Sequence, residues 1–497
     1  MDGKYSNGRL IIVSNRLPVV IEDHEGVLKT TAGSGGLITA LVPVLKNRGG
    51  LWIGWPGHVD KKDEQKAEAL LKKGAVSVGY HLQPVFLSPE EIKLYYEGFS
   101  NEVIWPLFHD LQSECHFHPG FWTAAQEVTQ KFAEKITQNI KSKDFVWVHD
   151  YHLILVGLEL RKAGVQQRIG YFLHIPFPPL DIFLTLPWRF QILKALLEYD
   201  LVGFQTMRDL RNFMQCVKRL LPEVKTTAKY QSHLCQTKDR EVRVGAFPIS
   251  IDYHEFSKTA EGGEVVEQMW SNYQLMKGQK IVFSCDRLDI SKGIPYRLEA
   301  IRYLLKHHPE IHGKVTFFQV VIPSRTEIPK YQELKKEIDR LVGEINSEFS
   351  QTGWIPIHYL YNSISRKELL AFYRFAEIAL ITPVKDGMNL VAKEYVASNS
   401  DENGVLILSE FAGSAFQLQH EAVLINPYDI EGMAESIYRA LTMPLQERKR
   451  RMRKMRRSIQ RNDVFVWVQT FLKVAFAKEL VDFPIIEEYM PTDPDDK

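Results

Sequence analysis

IALITPVKDGMNLVAKEY, residues 378–395, passes from an apolar run through a polar turn into an apolar helix pattern. IALITP has the length and composition of a strand covered on both faces. The turn gathers Lys385, Asp386 and Asn389 ahead of the helix, more polar groups than a change of direction requires. Gly387 is expected to let the backbone turn sharply, with helix from residue 388 onward. A helix N-terminus presents unpaired N–H groups and partial positive charge, which suits a phosphate. Glu394, about two turns into the helix, could accept hydrogen bonds from ribose or sugar hydroxyls, and Asp386 could do the same for a hexose. Taken alone, the stretch suits a structural role equally well, with Asp386 capping the helix and Glu394 in solvent.

The unit repeats outward in both directions. LIIVS (10–14), FVWVH (145–149), IGYFLH (169–174), LVGFQ (201–205) and VRVGAFPI (242–249) precede it in the first half. KIVFSC (280–285), VTFFQVVIP (315–323), VLILSE (405–410) and AVLIN (422–426) surround it in the second. Helix patterns such as IPYRLEAIRYLLKHHPE lie between them, so the chain reads as α/β with parallel sheets. The alternation weakens over IDYHEFSKTAEGGEVVEQ, which puts a boundary near 247–255 and gives domains 1–250 and 251–461. Residues 462–480 read as a C-terminal helix, and 488–497, acidic and Pro-containing, as a frayed tail.

Composition narrows the function classes. Of 497 residues, 45% are hydrophobic and 25% charged, as in ordinary globular chains, and the length calls for more than one core. A net charge of +1 supplies no field to steer nucleic acid or a membrane surface. The basic run ERKRRMRKMRRSIQR (447–461) carries Met452, Met455 and Ile459 at helical spacing, so it reads as a solvated amphipathic helix. Cys115, Cys216, Cys235 and Cys285 are scattered, and no segment has a membrane span's length; a cytoplasmic protein is the expectation.

Polar motifs follow the strands throughout: SNR, HDYH and HIPFPP in the first half, DRLDISKG, PSRT, PVKDG and SEFAG in the second. Ligands of open α/β sheets bind outside the carboxyl ends of the strands. Two sheets with such edges imply a ligand in a deep cleft between the domains. Arg287 and Lys292, on one loop, suit a diphosphate leaving group, Arg as a planar fork and Lys as a point charge. AGSGGL (32–37) departs from a dinucleotide fingerprint at Ile38. His149, His152 and His174 offer a zinc alternative, but cysteine partners and a HExxH helix are missing, so no metal is assigned. Tyr96 and Trp105 suit stacking on a sugar ring, although core packing is the simpler role for Trp105 alone.

As a set, SNR (14–16), GGL (35–37), GGLWIGWPG (49–57), YYEGFSNEVIWPLFH (95–109), VWVHDYHL (146–153), GYFLHIPFP (170–178), RLDISKG (287–293), PSR (323–325) and PVKDGMNLVAKEY (383–395) resemble the trehalose-6-phosphate synthases. These are retaining glycosyltransferases of family 20 with the GT-B fold, two Rossmann-like domains facing across a cleft. The resemblance runs from about residue 9 to about 480. It implies glucose transfer from UDP-glucose to glucose 6-phosphate without a metal or other cofactor. It further implies that Arg16, Tyr96, Trp105 and Arg325 hold the acceptor phosphate, and that Trp55 and Asp150 contact the acceptor sugar. Arg287 and Lys292 would bind the donor diphosphate with the backbone of Asn389, Leu390 and Val391. His174 and Asp386 would face the donor glucose and Glu394 the ribose, with Gly36 admitting the donor close to the backbone. The C-terminal helix is expected to cross back to the first domain. Lys385 and Ile290 depart from the usual Arg and Tyr of the family. The partners implied are small-molecule substrates rather than nucleic acid or membrane, with a homo-oligomer, dimer or tetramer, as the assembly. A glucosylglycerol-phosphate synthase and a silent synthase-like regulator are the competing readings.

Overall fold

Runs of β-branched and aromatic residues form the strands, and apolar residues returning every three or four positions form the helices that cover them. A computed structural model of the chain describes residues 8–24, 27–33, 35–229, 231–276, 278–477 and 483–491. Ser34 of the glycine-rich stretch, residues 478–480 of the expected helix and residues 492–497 of the expected tail lie outside them. The chain divides into two compact units, Met1–Ile249 with Val464–Glu488, and Ser250–Asp463 with Tyr489–Lys497.

The first unit contains β1 (Leu10–Arg16), β2 (Val19–His24), β3 (Val27–Ala32), β4 (Leu51–Trp55), β5 (His81–Pro84) and β6 (Phe145–His149). It continues with β7 (Ile169–Phe172), β8 (Leu201–Phe204), β9 (Lys225–Lys229), β10 (Ser232–Gln236) and β11 (Glu241–Ala246). Among the described residues, nine of these form one sheet in the order β5-β4-β1-β6-β7-β8-β11-β10-β9. Pairing is parallel from β5 to β11 and antiparallel through β10 and β9. β2 and β3 form a separate antiparallel hairpin. The second unit contains β12 (Lys280–Arg287), β13 (Val315–Ile322), β14 (Ile357–Leu360), β15 (Ile378–Ile381), β16 (Val405–Ser409) and β17 (Val423–Ile425). These pair in the all-parallel order β14-β13-β12-β15-β16-β17.

Numbered by appearance, the parallel strands β5 to β8 and the whole second sheet both follow the order 3-2-1-4-5-6, that of doubly wound dinucleotide-binding folds. The order reverses between β1 and β6 in one unit and between β12 and β15 in the other. Loops leaving neighbouring strands at that point diverge to opposite faces and open a crevice.

Helix Val464–Phe476 belongs with the first unit. Its Phe471 is fully buried and stacks on Trp147 with ring centroids 4.3 Å apart. Gly170 of β7 and Gly203 of β8 make the slot: a Cβ on either would stand 2.9 or 2.8 Å from the Phe471 ring. Trp467 Nε1 donates to the Phe247 carbonyl at 3.0 Å. Arg243 donates to the Val474 carbonyl at 2.9 Å, and Arg168 donates to that of Ala475, so cations meet the last carbonyls of the helix. The helix begins two residues later than 462 and ends at Phe476. Beyond it, Glu488 pairs with Arg211, and Tyr489 donates to Glu410 at 2.8 Å, so the expected tail is anchored at its first two residues. Helix Leu445–Arg461 buries Met452, Met455 and Ile459, and Arg451, Arg453 and Lys454 pair with Glu447, Glu402 and Glu421. No described helix is long and apolar enough to cross a membrane.

Candidate active site

In the first unit the polar residues gather at the carboxyl ends of β1, β4, β6 and β7. Arg16 ends β1 opposite Trp55 of β4, after a register irregularity between Val13 and Arg16. Its guanidinium carbon stands 3.7 Å over the Trp55 ring and 5.2 Å from the Tyr96 ring centroid, a cation on two aromatic faces. Trp55 meets Tyr96 edge-on at 5.5 Å, and Tyr96 stacks on His152 at 5.9 Å. Among the described residues no carboxylate pairs with Arg16, and the buried Trp55 Nε1 has no hydrogen-bond partner. A cation and an N–H, both unmet, suit an anionic or hydroxylated ligand.

Tyr96 is carried on a π-helix, Ile92–Ile104, a wide-turned and rare form that is frequent at functional sites. The turn is held from beneath by polar contacts. Tyr95 donates to Asn15 Oδ1 at 3.0 Å, Asn101 Nδ2 donates to the Tyr96 carbonyl at 2.6 Å, and Tyr151 donates to Asn101 Oδ1 at 3.0 Å. Trp105 follows the π-helix, 7% exposed, with its ring 5.6 Å from Tyr151 and 4.1 Å from His109. It lies within the apolar core, and the Tyr151, His152 and Tyr96 rings link it to the Arg16 cluster.

Asp150, directly after β6, has φ of 75°, a left-handed conformation that costs energy in any residue with a Cβ. Its N–H donates to the Phe172 carbonyl at 2.8 Å, and Oδ1 accepts from the His174 N–H at 3.3 Å. His174 ring atoms are engaged on both sides, Nε2 with His149 Nδ1 at 3.0 Å and Nδ1 with Gln205 Nε2 at 3.4 Å. Burial lowers the affinity of His174 for a proton to a pKa of about 3 and pushes that of His149 well below its ordinary range. Both imidazoles are therefore neutral near pH 7. Gly36 opens helix Gly36–Arg48 after Gly35, which has φ of 125°. Among the described residues no group of three or more His, Cys, Asp or Glu side chains converges on one point.

In the second unit the loops after β12, β13 and β15 carry the cations. Arg287 ends β12, exposed, with no carboxylate paired to it among the described residues. Lys292 Nζ pairs with Asp386 Oδ2 at 2.5 Å, and Asn389 Nδ2 donates to the same oxygen at 3.1 Å. Arg325, with φ of 51°, donates to Asp289 Oδ2 at 2.7 Å and to Tyr331 Oη at 2.6 Å. It lies in a different unit from Arg16, Tyr96 and Trp105.

Two details of the opening stretch differ from expectation. Asn389, φ 69°, supplies the left-handed turn rather than Gly387, and its side chain caps the helix by accepting from the Ala392 N–H at 3.2 Å. The helix runs Leu390–Ser398, so Glu394 is its fifth residue, little more than one turn in. Its Oε2 accepts from Tyr373 Oη at 3.0 Å, and burial raises both pKa values. The N–H groups of Leu390 and Val391 lie in the first turn, outside the helical ladder. Gly387 matters for closeness instead: a Cβ on Gly413 would stand 1.8 Å from the Gly387 carbonyl oxygen.

Asn15, Gln205, Asp289 and Tyr373 join these clusters without having been singled out in the sequence. Gln205 and Asp289 lie inside motifs already quoted, but their partners are 31 and 36 positions away in the chain.

Two Rossmann-like units with polar residues at the carboxyl ends of their strands are the architecture of the GT-B class of glycosyltransferases. The model of glycosyltransferase family 20 matches residues 8–476, and the chain belongs to that family. A bifunctional trehalose-6-phosphate synthase/phosphatase of Thermoproteus tenax is 42% identical over 475 residues; the match covers 93% of this chain and 63% of that protein, so this chain spans less than two thirds of its length. A trehalose-6-phosphate synthase of Mycobacterium avium is 40% identical, over 94% of this chain and 95% of its own. Among solved structures, an α,α-trehalose-phosphate synthase (UDP-forming) from Burkholderia xenovorans, in complex with glucose-6-phosphate, superimposes with a TM-score of 0.84 at 34% identity, covering 94% and 100% of the two chains. An E. coli protein bound with UDP-2-fluoro glucose superimposes with a TM-score of 0.84 at 36% identity, covering 97% and 100%.

Proposed function

We propose that this chain transfers glucose from UDP-glucose to glucose 6-phosphate with retention of configuration, giving α,α-trehalose 6-phosphate and UDP. The observation that carries the acceptor half is Arg16, a guanidinium with no carboxylate paired to it among the described residues, seated on Trp55 and Tyr96. A phosphate monoester is the anion such a fork holds best, and the aromatic faces suit the attached sugar. Trp55 and Asp150 take the acceptor sugar in this reading, and Trp105 supports the aromatic wall from the core. Arg325 reaches an acceptor phosphate only by sharing its charge with Asp289.

On the donor side Arg287 has no paired carboxylate among the described residues, and the Leu390 and Val391 N–H groups add helix-end charge. The acceptor hydroxyl oxygen bonds to the glucose anomeric carbon as that carbon's bond to the diphosphate oxygen breaks, on the same face. The hydroxyl proton passes to the departing diphosphate. Positioning and stabilisation of the leaving charge supply the rate. Lys292 is held against Asp386, so the pair acts as a unit: the carboxylate takes glucose hydroxyls while the ammonium faces the diphosphate. Glu394 takes the ribose, with Tyr373 orienting it. In this reading the chain's own cations replace a divalent ion. The four thiols form no disulfide, and we place the activity in the cytoplasm.

The relatives' names favour neither a glycerol 3-phosphate acceptor nor a silent protein. The test is nucleotide release by purified protein from UDP-, GDP- and ADP-glucose, with glucose 6-phosphate and glycerol 3-phosphate compared as acceptors and EDTA added in parallel. Release with UDP-glucose and glucose 6-phosphate, unchanged by chelator, is the expected result. Preference for glycerol 3-phosphate would overturn the acceptor assignment, and loss with EDTA the metal-free one.

A further inference from the structure

Four groups of the first unit form a directed chain beside the candidate site. The Ile249 N–H donates to Gln205 Oε1 at 3.0 Å. A backbone N–H can only donate, so the Gln205 amide is pinned with its oxygen toward Ile249 and its NH2 toward His174. Gln205, 1% exposed at the end of β8, then offers Nε2 to His174 Nδ1 at 3.4 Å. His174 Nε2 stands 3.0 Å from His149 Nδ1. With Nδ1 accepting, a neutral His174 carries its proton on Nε2 and donates it to His149. The His149 proton is then on Nε2. The reverse order would set an imidazole N–H against the amide NH2. The ordering has a visible cost: among the described residues His149 Nε2 is buried without a hydrogen-bond partner, its ring packed 4.6 Å from Trp147 and 6.4 Å from Trp467.

We infer that His149 and Gln205 are positioning residues that hold His174 as the tautomer with its proton on Nε2, so that a substrate hydroxyl donates to Nδ1. Of the two contacts on the His174 ring, the 3.4 Å one at Nδ1 is the weaker, and a hydroxyl displaces it. A hydroxyl that donates a hydrogen bond to the imidazole, keeping its proton, has a more electron-rich oxygen, which favours a sugar acquiring positive charge in the transition state. The inference rests on the proposed function only for the owner of that hydroxyl.

The tautomer is read first, on full-length protein without substrate, from 15N-histidine NMR with His174 assigned by loss in His174→Gln. A bare Nδ1 and a protonated Nε2 are expected; a protonated Nδ1 would overturn the inference. Turnover follows. Gln205→Glu keeps size and the Ile249 contact but turns an acceptor toward Nδ1 and reverses the chain. It is expected to lower kcat about tenfold or more with the KM for glucose 6-phosphate within about twofold. His149→Asn, which keeps an acceptor where Nδ1 stands, should stay within about threefold of the parent, whereas His149→Phe should fall with Gln205→Glu. Parent-like kcat in Gln205→Glu, or equal losses in the two His149 variants with UDP binding intact by calorimetry, would also overturn it. A parent protein that ignores UDP-glucose would defeat the proposed function, and the NMR result would still decide the tautomer.

Discussion

Arg16 and Arg287 stand without carboxylates among the described residues, whereas Lys292 and Arg325 are committed to Asp386 and Asp289. That difference orders the expected effects. Arg16→Ala should raise the KM for glucose 6-phosphate about ten- to a hundredfold, the scale of lost charge-assisted hydrogen bonds, with the KM for UDP-glucose little changed. Arg287→Ala should lower kcat by about two orders of magnitude, the effect of removing one donor from a developing charge. Both are read from initial rates with each substrate varied. His174 gives a pH dependence of known sign. The unfolded chain takes up its proton near pH 6.5, the folded one only near 3, so the unfolded state holds more protons between them. Stability is complete above that window and is lost as pH falls through it. Tm should therefore decline from pH 6.5 toward acid, less steeply in His174→Gln. These side chains were legible in the sequence because each follows an apolar run. Their commitments were not, since Asp386 lies 94 positions from Lys292 and only folding brings the pair together.

The loop from Asp386 to Asn389 is shaped by contact as much as by its own residues. The Gly413 backbone comes so close to Gly387 that no side chain fits between them. Gly413→Ala should push the loop from its place and weaken UDP binding about tenfold or more, checked by titration calorimetry, with a fall in Tm. Most strands read in the sequence were apolar throughout, such as LIIVS and FVWVH, where hydrophobicity is continuous, yet LWIGW of β4, buried at every position, was missed. Both edges of the first sheet escaped: KTTAK of β9 and HLQP of β5 are short and largely polar, and their pairing comes from neighbours rather than pattern. The π-helix escaped as well, because YYEGFSN carries helical spacing and its wider turn is set by Asn15, Asn101 and Tyr151.

At the scale of the molecule, the two units share strand order but not continuity. Ser250–Asp463 forms most of the second unit in one stretch, while the first is completed by Val464–Glu488. Phe471→Ala should cost about 3–5 kcal/mol in urea denaturation, because the slot made by Gly170 and Gly203 cannot close over the void. A ribosome making this chain thus delivers the last piece of the earlier unit only after most of the later one. The nascent amino-terminal half must wait, with Trp147 and its neighbours uncovered, for a helix encoded more than two hundred codons downstream. The unit begun first is closed after the main body of the second, and an amino-terminal fragment cut at the boundary is expected to fold poorly unless its missing helix is supplied as a separate peptide.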